Sequence, residues 1–342
     1  MTEGDKAVGE EKEKRQITGI IHAVCVSDRK GTGKTPVSEA SFTPEHGIEG
    51  DAHAGTWHRQ ISLLSGDKVD EFNRSGAGVK DGDFGENLVV RGIDFRSLPV
   101  GTILTIRGPQ KTALSGDENT ERRSREVVLE MTQIGKACHT GCAIKQKMGV
   151  CIMPVEGVFA RVLKGGTVRP GDVMTVTDPD PGRPFTAAVI TVSDRSAAGE
   201  REDLSGPAAV SMLKEAGFEV LETVIVPDEQ EQISAVLKRL ADQRQISLVV
   251  TSGGTGFSLR DRTPEATLDA AERIAPGIAE AMRVKSLQIT DKAMLSRGVS
   301  VIRGRTLIVN LPGSPKAVKE SLGFILGALD HGLGILRGTA TD

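Results

Sequence analysis

Two periodicities divide the chain. Before residue 178, β-branched and aliphatic side chains come in short runs punctuated by glycine: Ile17 to Ser27, Gln60 to Leu64, Glu86 to Val90, Thr102 to Arg107, Glu126 to Thr132 and Asp172 to Thr177. Such runs, bounded by turn residues, predict strands. Two of them are entered through the same device, Leu98-Pro99-Val100-Gly101 and Val168-Arg169-Pro170-Gly171, in which proline followed by glycine presets a tight turn. Helical patterning is confined to Asp67–Asn73 and Val155–Val162. Regular helix–strand alternation is missing, so the pattern predicts a mainly-β, closed or half-closed barrel with small helices. Residues 110–125 are polar and read as a mobile excursion from it.

Later in the chain strand and helix take turns. Ala187–Val192, Val220–Val226, Ile246–Thr251, Val299–Ile302 and Thr306–Asn310 read as strands. Ser205-Gly206-Pro207 opens a helix ending at Gly217, and Ile233, Val236, Leu237 and Leu240 form one apolar stripe at helical spacing. Thr263-Pro264 is read as an N-cap with a first-turn proline, and Ser314-Pro315 launches the last long helix. This alternation predicts an α/β three-layer, Rossmann-like domain with a mostly parallel sheet, whose ligands sit beyond the carboxyl ends of the strands.

Between the halves lies Thr177-Asp178-Pro179-Asp180-Pro181-Gly182-Arg183-Pro184, which can neither extend a helix nor pair in a central strand. The expected organisation is a solvated, disordered tail over 1–16, a barrel over 17–178, a linker over 179–184 and the α/β domain over 185–342. A length of 342 residues suits two such domains. A net charge of −3 gives no whole-chain basic field for nucleic acid or an anionic membrane, and nine Phe, one Trp and no Tyr make a poor base-stacking platform. No apolar run reaches the ~20 residues of a membrane span, and Met1–Gln16 lacks a secretory apolar core. Four cysteines, three of them clustered, do not resemble an extracellular disulfide framework, so a reducing, cytoplasmic setting is expected.

In the second half the chemically suggestive residues fall at predicted carboxyl ends of strands. Ser193-Asp194 follows the first strand, Asp228 the second, Ser252-Gly253-Gly254-Thr255-Gly256 the third and Gly313-Ser314 the last, while an intervening loop supplies Asp203. Bare amides in glycine turns and helix N-termini bind anions. Carboxylates gathered around an anion repel it unless a divalent cation lies between, which points to Mg²⁺-assisted chemistry on a nucleoside triphosphate, with Asp261, just beyond the glycine turn, as a carboxylate suited to such a metal. Plainer readings stand beside this one. Asp228-Glu229-Gln230-Glu231 is a good capping box, and Ser314 could serve only as an N-cap. Asp261 resists that explanation if Thr263 already caps its helix.

In the first half, Lys30-Gly31-Thr32-Gly33-Lys34-Thr35 imitates the end of a P-loop, but Asp28 stands where the spacing needs glycine and Pro36 prevents a following helix. It is rejected as a nucleotide site. Lys34, with Arg59, remains a candidate for contacting an anionic ligand, and His53 and His58 are candidate metal ligands or loop hydrogen-bonding groups. Three readings compete for Lys136-Ala137-Cys138-His139-Thr140-Gly141-Cys142 and Cys151: a reactive or metal-ligating Cys138 activated by neighbouring positive charge, a structural Zn²⁺ site, or buried thiols acting as small apolar residues. Cys25 lies on a strand and reads as core.

Thr191-Val192-Ser193-Asp194-Arg195, Asp203-Leu204-Ser205-Gly206, Val226-Pro227-Asp228, Thr251 to Gly256, Arg260 to Glu265 and Leu311 to Pro315 are specific motifs. Through them Phe185–Gly338 closely resembles the molybdopterin adenylyltransferase family, which includes the G domain of gephyrin. The resemblance implies a Rossmann-like homotrimer that condenses molybdopterin with Mg-ATP, releasing pyrophosphate. Asp228 and Asp261 would be the essential carboxylates, the glycine turn would hold phosphate, and serine replaces the commoner threonine at Ser252. Residues 17–178 resemble the MOSC domain of molybdenum cofactor sulfurases through Lys30 to Lys34, Gly50 to Gly55, Gly82 to Asn87 and the Cys138 segment before Gly157-Val158-Phe159-Ala160. That resemblance implies a β-barrel that binds molybdenum cofactor or carries sulfur, with Cys138 at the expected cysteine position. The combined expectation is an adenylyl-transferring enzyme of molybdenum cofactor biosynthesis, with metal-insertion and molybdoenzyme-maturation proteins as partners. A non-catalytic pterin-binding scaffold is the alternative for the whole, and a cofactor-binding oxidoreductase module the alternative for the first half.

Overall fold

The computed structural model describes residues 16–109, 126–137 and 143–340. All but the last residue of the expected tail, the 110–125 excursion and the segment Cys138–Cys142 lie outside them. The chain forms two compact units, Met1–Pro179 and Asp180–Asp342.

Unit 1 is built on strands β1 (Thr18–Val26), β5 (Ile61–Ser65), β6 (Leu88–Arg91), β7 (Ile103–Arg107), β8 (Val127–Ile134), β9 (Val158–Lys164) and β11 (Val173–Thr177). Their order is β11-β7-β8-β9-β5-β6-β1, and pairing of Thr18–Ile20 with Val173–Thr175 joins the ends into a closed seven-strand barrel. Every other residue along β7 and β11 is buried, the period-2 signature of one inward face. Ile21, Val24, Phe95, Leu104, Leu129, Met131 and Val162 fill the interior. Both proline-led turns feeding this barrel place glycine in the left-handed region, Gly101 (two after Pro99) at φ 92° and Gly171 (next to Pro170) at φ 90°, where a side chain would be strained. Short strands β2 (Thr35–Val37), β3 (Ala40–Thr43), β4 (Gly47–Ile48) and β10 (Gly166–Val168) complete the unit. A satellite cluster of Leu64, Val69, Phe72, Phe84, Met153 and Phe159 packs beneath helices α1 (Gly66–Arg74), α2 (Ala143–Met148) and α3 (Met153–Glu156). The helix expected over Val155–Val162 stops at Glu156. Gly157 leaves the helix with extended backbone, at a point where a Cβ would lie 2.3 Å from the Met153 sulfur, and Val158–Lys164 becomes strand, as its β-branched content favours.

Unit 2 contains β12 (Thr186–Val192), α4 (Asp194–Ala197), α5 (Ser205–Glu215), β13 (Glu219–Val226), α6 (Gln230–Lys238), β14 (Leu248–Ser252), α7 (Thr263–Ala270), β15 (Arg273–Ile274), α8 (Pro276–Leu287), β16 (Ser300–Arg303), β17 (Thr306–Leu311) and α9 (Pro315–Arg337). The sheet order is β13-β12-β14-β17-β16-β15. Pairing is parallel from β13 through β12 and β14 to β17, and antiparallel onward to β16 and β15. Successive residues of β12 enter different cores. Ala187 and Val189 pack with Leu213, Met282, Leu322 and Leu329, whereas Ala188 and Ile190 pack with Ile233, Leu237 and Ala266. Helices thus cover both sheet faces, so the central strands β14 and β17 are buried at every residue, while the exposed strand positions lie on the outer strands β13 and β15. Among the described residues no helix is long and apolar enough to cross a membrane.

Candidate active site

The parallel register brings the strand ends to one line: Val226 lies opposite Val192, Thr191 opposite Ser252, and Ser252 opposite Leu311. Beyond that line opens a cleft of about 380 Å³ whose walls include Ser193, Asp203, Asp228, Gly254, Asp261 and Gly313, with Ser252, Gly253 and Ser314 also lining it.

The glycine turn leaves no room for side chains. Gly253 and Gly254 have φ of 101° and 64°, and a Cβ on them would lie 2.3 Å from the Val192 carbonyl oxygen and from Thr263 Oγ1 respectively. The same hypothetical Cβ on Gly254 would lie 3.0 Å from Asp228 Oδ1, and one on Gly256 would lie 2.9 Å from Asp261 Oδ2. Both carboxylates therefore rest against a single turn. Gly313 meets that turn from β17, its Cβ position 3.2 Å from the Gly253 Cα.

The capping readings fare unequally. Glu229, not Asp228, is the N-cap of α6 and makes no side-chain cap bond. Asp228 Oδ2 accepts from the Asp194 amide at 3.0 Å, and Asp194 Oδ1 accepts from the Asp228 amide at 3.0 Å, a reciprocal lock between two strand ends. Burial first, then the like charges of Asp194 and Asp261, raise the Asp228 carboxyl above the ordinary carboxylate range against the opposing Asp194 amide and Arg260. Thr263 is not the N-cap of α7. It is the first helical residue, and its hydroxyl donates to the Gly253 carbonyl at 2.9 Å while its amide donates to that of Gly254 at 3.1 Å. Asp261 does not cap α7 either, since the cap residue Arg262 intervenes; its Oδ2 accepts from the Ser258 amide at 2.9 Å within its own loop. Ser314 does cap α9, accepting from the Ala317 amide at 3.2 Å, so the start of a 23-residue helix borders the cleft. Ser193 caps α4 in the same manner.

Other expected residues take supporting positions. Asp203 accepts from the amides of Ser205 and Gly206 and from the hydroxyls of Ser205 and Thr191. Burial pushes its carboxyl up, but these donors outweigh burial and hold it below the usual range. Ser252 Oγ donates to the Pro312 carbonyl at 3.1 Å, tying β14 to the next loop. Asp194 is gripped by Arg260 through two nitrogens at 3.0 and 2.9 Å, and Arg260 also reaches Glu229 at 2.8 Å. Thr255 and Gly256 border a different hollow, a largely apolar slot of about 290 Å³ with Met282, Leu295, Pro312 and Ala317 in its wall. One turn thus serves a polar cleft through Gly253–Gly254 and an apolar slot through Thr255–Gly256. Sequence spacing missed Thr263 as a brace, Arg260 as a clamp and Arg297, whose side-chain contacts reach back 32 to 41 positions in the chain. No local pattern announces a contact of that range.

The candidates in unit 1 are not gathered in the same way. Lys34 Nζ pairs inside the unit with Asp51, each side chain about 1% exposed, and reaches His53 Nδ1 at 3.3 Å. Asp51 also accepts from Asn87 Nδ2 at 3.1 Å and the Ser27 amide at 3.2 Å. Burial raises its carboxyl, but bonds from His53 and Lys34 prevail and hold it far below the usual range. His58 Nε2 meets Gln133 Oε1 at 2.9 Å, and the Arg59 guanidinium lies 4.6 Å from the Trp57 ring centre. Among the described residues no group of three or more His, Cys, Asp or Glu could hold a metal ion. Cys25 is buried, and burial pushes its thiol up to about 12. Cys138, His139 and Cys142 fall outside the described residues, while Cys151 borders the satellite cluster.

Comparison with known proteins finds a match for each half. A probable molybdopterin binding domain matches over residues 188–331 and a MOSC domain over 50–175. The chain is 48% identical over 136 residues to the molybdopterin adenylyltransferase of Haemophilus influenzae, spanning 39% of this chain and 69% of that protein. It is 42% identical over 152 residues to that of Helicobacter pylori J99, spanning 44% of this chain and 86% of that protein. A crystal structure of the molybdopterin biosynthesis enzyme MoaB from Thermus thermophilus aligns at 47% identity over 45% of this chain and 97% of that one, with a TM-score of 0.44.

Proposed function

Because this chain belongs to the molybdopterin adenylyltransferase family through its second half and joins to it a MOSC domain, we propose that it adenylylates molybdopterin with Mg-ATP in the cleft of unit 2, a step of molybdenum cofactor biosynthesis. The observation that carries this reading is the placement of Asp228 and Asp261 against one glycine turn in one cleft.

The residues fit a magnesium–triphosphate pair. Mg²⁺ needs only one or two protein carboxylates when phosphate oxygens complete its shell. Asp228, whose negative charge burial and like charges disfavour, gains most from a nearby cation. When bound, the ion would neutralise the phosphate oxygens and the departing pyrophosphate. The chain's own groups then do the positioning. The Gly254 amide and the capped start of α9 receive phosphate oxygens, while the Gly253 amide holds the turn to the Leu311 carbonyl at 3.3 Å, and the apolar slot gives room to the flat pterin ring. A terminal phosphate oxygen of molybdopterin, already anionic, attacks the α-phosphorus of ATP. The bond from that phosphorus to the bridging oxygen breaks, and pyrophosphate leaves. No general base is required, so catalysis is placement and electrostatics.

The test mixes the full-length protein with molybdopterin, ATP and Mg²⁺ and follows pyrophosphate. Release that needs all three components is expected; molybdopterin retained with no pyrophosphate identifies a scaffold and defeats the proposal. Unit 1, in the same reading, holds the mature cofactor or delivers sulfur to its metal through Cys138. Cys138→Ala is expected to abolish cofactor sulfuration or binding, and intact levels of both would discard that role. A homotrimer joined through unit 2 and a cytoplasmic setting belong to the proposal as well.

A further inference from the structure

Arg297 touches neither proposed carboxylate, yet three bonds tie it to the segment from the glycine turn to Asp261 and a fourth to Glu265 on α7. Its amide donates to the Thr255 carbonyl at 3.0 Å, Nε to that of Gly256 at 2.7 Å and Nη2 to that of Asp261 at 2.6 Å, while Nη1 pairs with Glu265. One side chain thereby fastens both ends of loop 256–261. Packing does little to hold the loop between those ends, since Phe257 is 69% and Leu259 90% exposed. The bond from the Ser258 amide to Asp261 is internal to the loop and fixes its shape, not its place. Arg260 reaches out to Asp194 and Glu229, but from an exposed position where screening weakens the tie. Arg297 itself stands in the chain between Ser296 and Gly298, both in the slot wall.

We propose that Arg297 is a positioning residue that sets the Asp261 carboxylate for the cation accompanying ATP, linking the slot wall to the polar cleft. The proposal rests on the adenylyl-transfer reading. A guanidinium fork can serve three acceptors at fixed angles, whereas an ammonium group on a flexible stem cannot reproduce them.

The test measures ATP binding to full-length protein with Mg²⁺ and with the ion chelated, for wild type, Arg297→Lys, Asp261→Asn and the double variant. Arg297→Lys is expected to lose at least about 10-fold of the Mg²⁺-dependent gain in ATP affinity and about 100-fold in kcat, as misplacement by an ångström does. ATP binding without Mg²⁺ should stay unchanged. In the Asp261→Asn background the same substitution should cost ATP affinity nothing further, because a residue acting through Asp261 has nothing left to act on. A folded Arg297→Lys protein with wild-type Mg²⁺ dependence, or losses that simply add in the double variant, would overturn the role. Should Arg297→Lys not fold, Glu265→Gln, which removes the charge partner and leaves the carbonyl bonds, carries the test: about a 3-fold loss is expected, and none overturns it. Wild-type protein whose ATP affinity ignores Mg²⁺ would instead bring down the adenylyl-transfer reading.

Discussion

The two units handle buried charge in opposite ways. In the barrel, Lys34 and Asp51 neutralise each other deep inside, and Asn87, Ser27 and His53 supply further bonds to the same carboxylate. In the α/β unit, carboxylates converge on an open cleft, and burial first, then the like charges of Asp194 and Asp261, hold Asp228 above its ordinary range. An internal ion pair answered on every side is architecture. Like charges held together beside bare amides are an arrangement that costs stability unless a cation or an anionic ligand completes it. Charge removal should therefore act with opposite signs in the two units.

The largest effect on stability is expected at Lys34. Lys34→Ala leaves Asp51 buried without its cation and should cost about 3–5 kcal/mol in denaturant unfolding of unit 1. The cleft should respond in reverse: Asp228→Asn, which removes a disfavoured charge, should leave the unfolding midpoint of unit 2 unchanged or raise it. A loss there of the size expected at Lys34 would break the comparison.

Glu86 sharpens the contrast, because it is the barrel's exception. It is fully buried, its Oε1 accepts from the Gly82 amide at 2.7 Å, its Oε2 has no hydrogen-bond partner, and burial moves its carboxyl from the ordinary 4.5 to about 7. Below pH 4.5 the group is neutral in both folded and unfolded chains. Between 4.5 and about 7 the unfolded chain releases the proton and the folded chain keeps it, so stability falls as pH rises across that window. The loss totals about 3 kcal/mol. Glu86→Gln should flatten this part of the stability profile and stabilise the protein at pH 8; an unchanged profile would show that Glu86 is ionised in the native barrel.

Much of this was legible in the sequence, and what was not has physical reasons. Both proline-led turns announced themselves because a left-handed turn leaves few residues other than glycine. The Gly253–Gly256 and Leu311–Pro315 loops were legible for the related reason that close backbone approach excludes side chains. The helix expected over Val155–Val162 is strand from Val158 onward, because apolar runs of that length satisfy either period and the extended backbone at Gly157 has no signature in the local pattern. Helix Pro276–Leu287 escaped notice: Pro276-Gly277 reads as a breaker, although a proline in the first helical turn is compatible with a helix. Thr263 is the right residue type for a cap, but its hydroxyl bonds the Gly253 carbonyl in the turn ten residues earlier. Arg260 and Arg297 illustrate the general limit. Their partners are set by loop placement, and a guanidinium leaves no spacing signature.

The most direct measurement compares pyrophosphate release by the wild-type chain with that of Asp261→Asn, both supplied with molybdopterin, ATP and Mg²⁺ and both shown to keep the same melting temperature and pterin affinity. The account predicts steady release from the wild type and a rate lower by about 100- to 1,000-fold in the variant. Equal rates would mean that the chemistry takes place somewhere other than the cleft beneath the glycine turn.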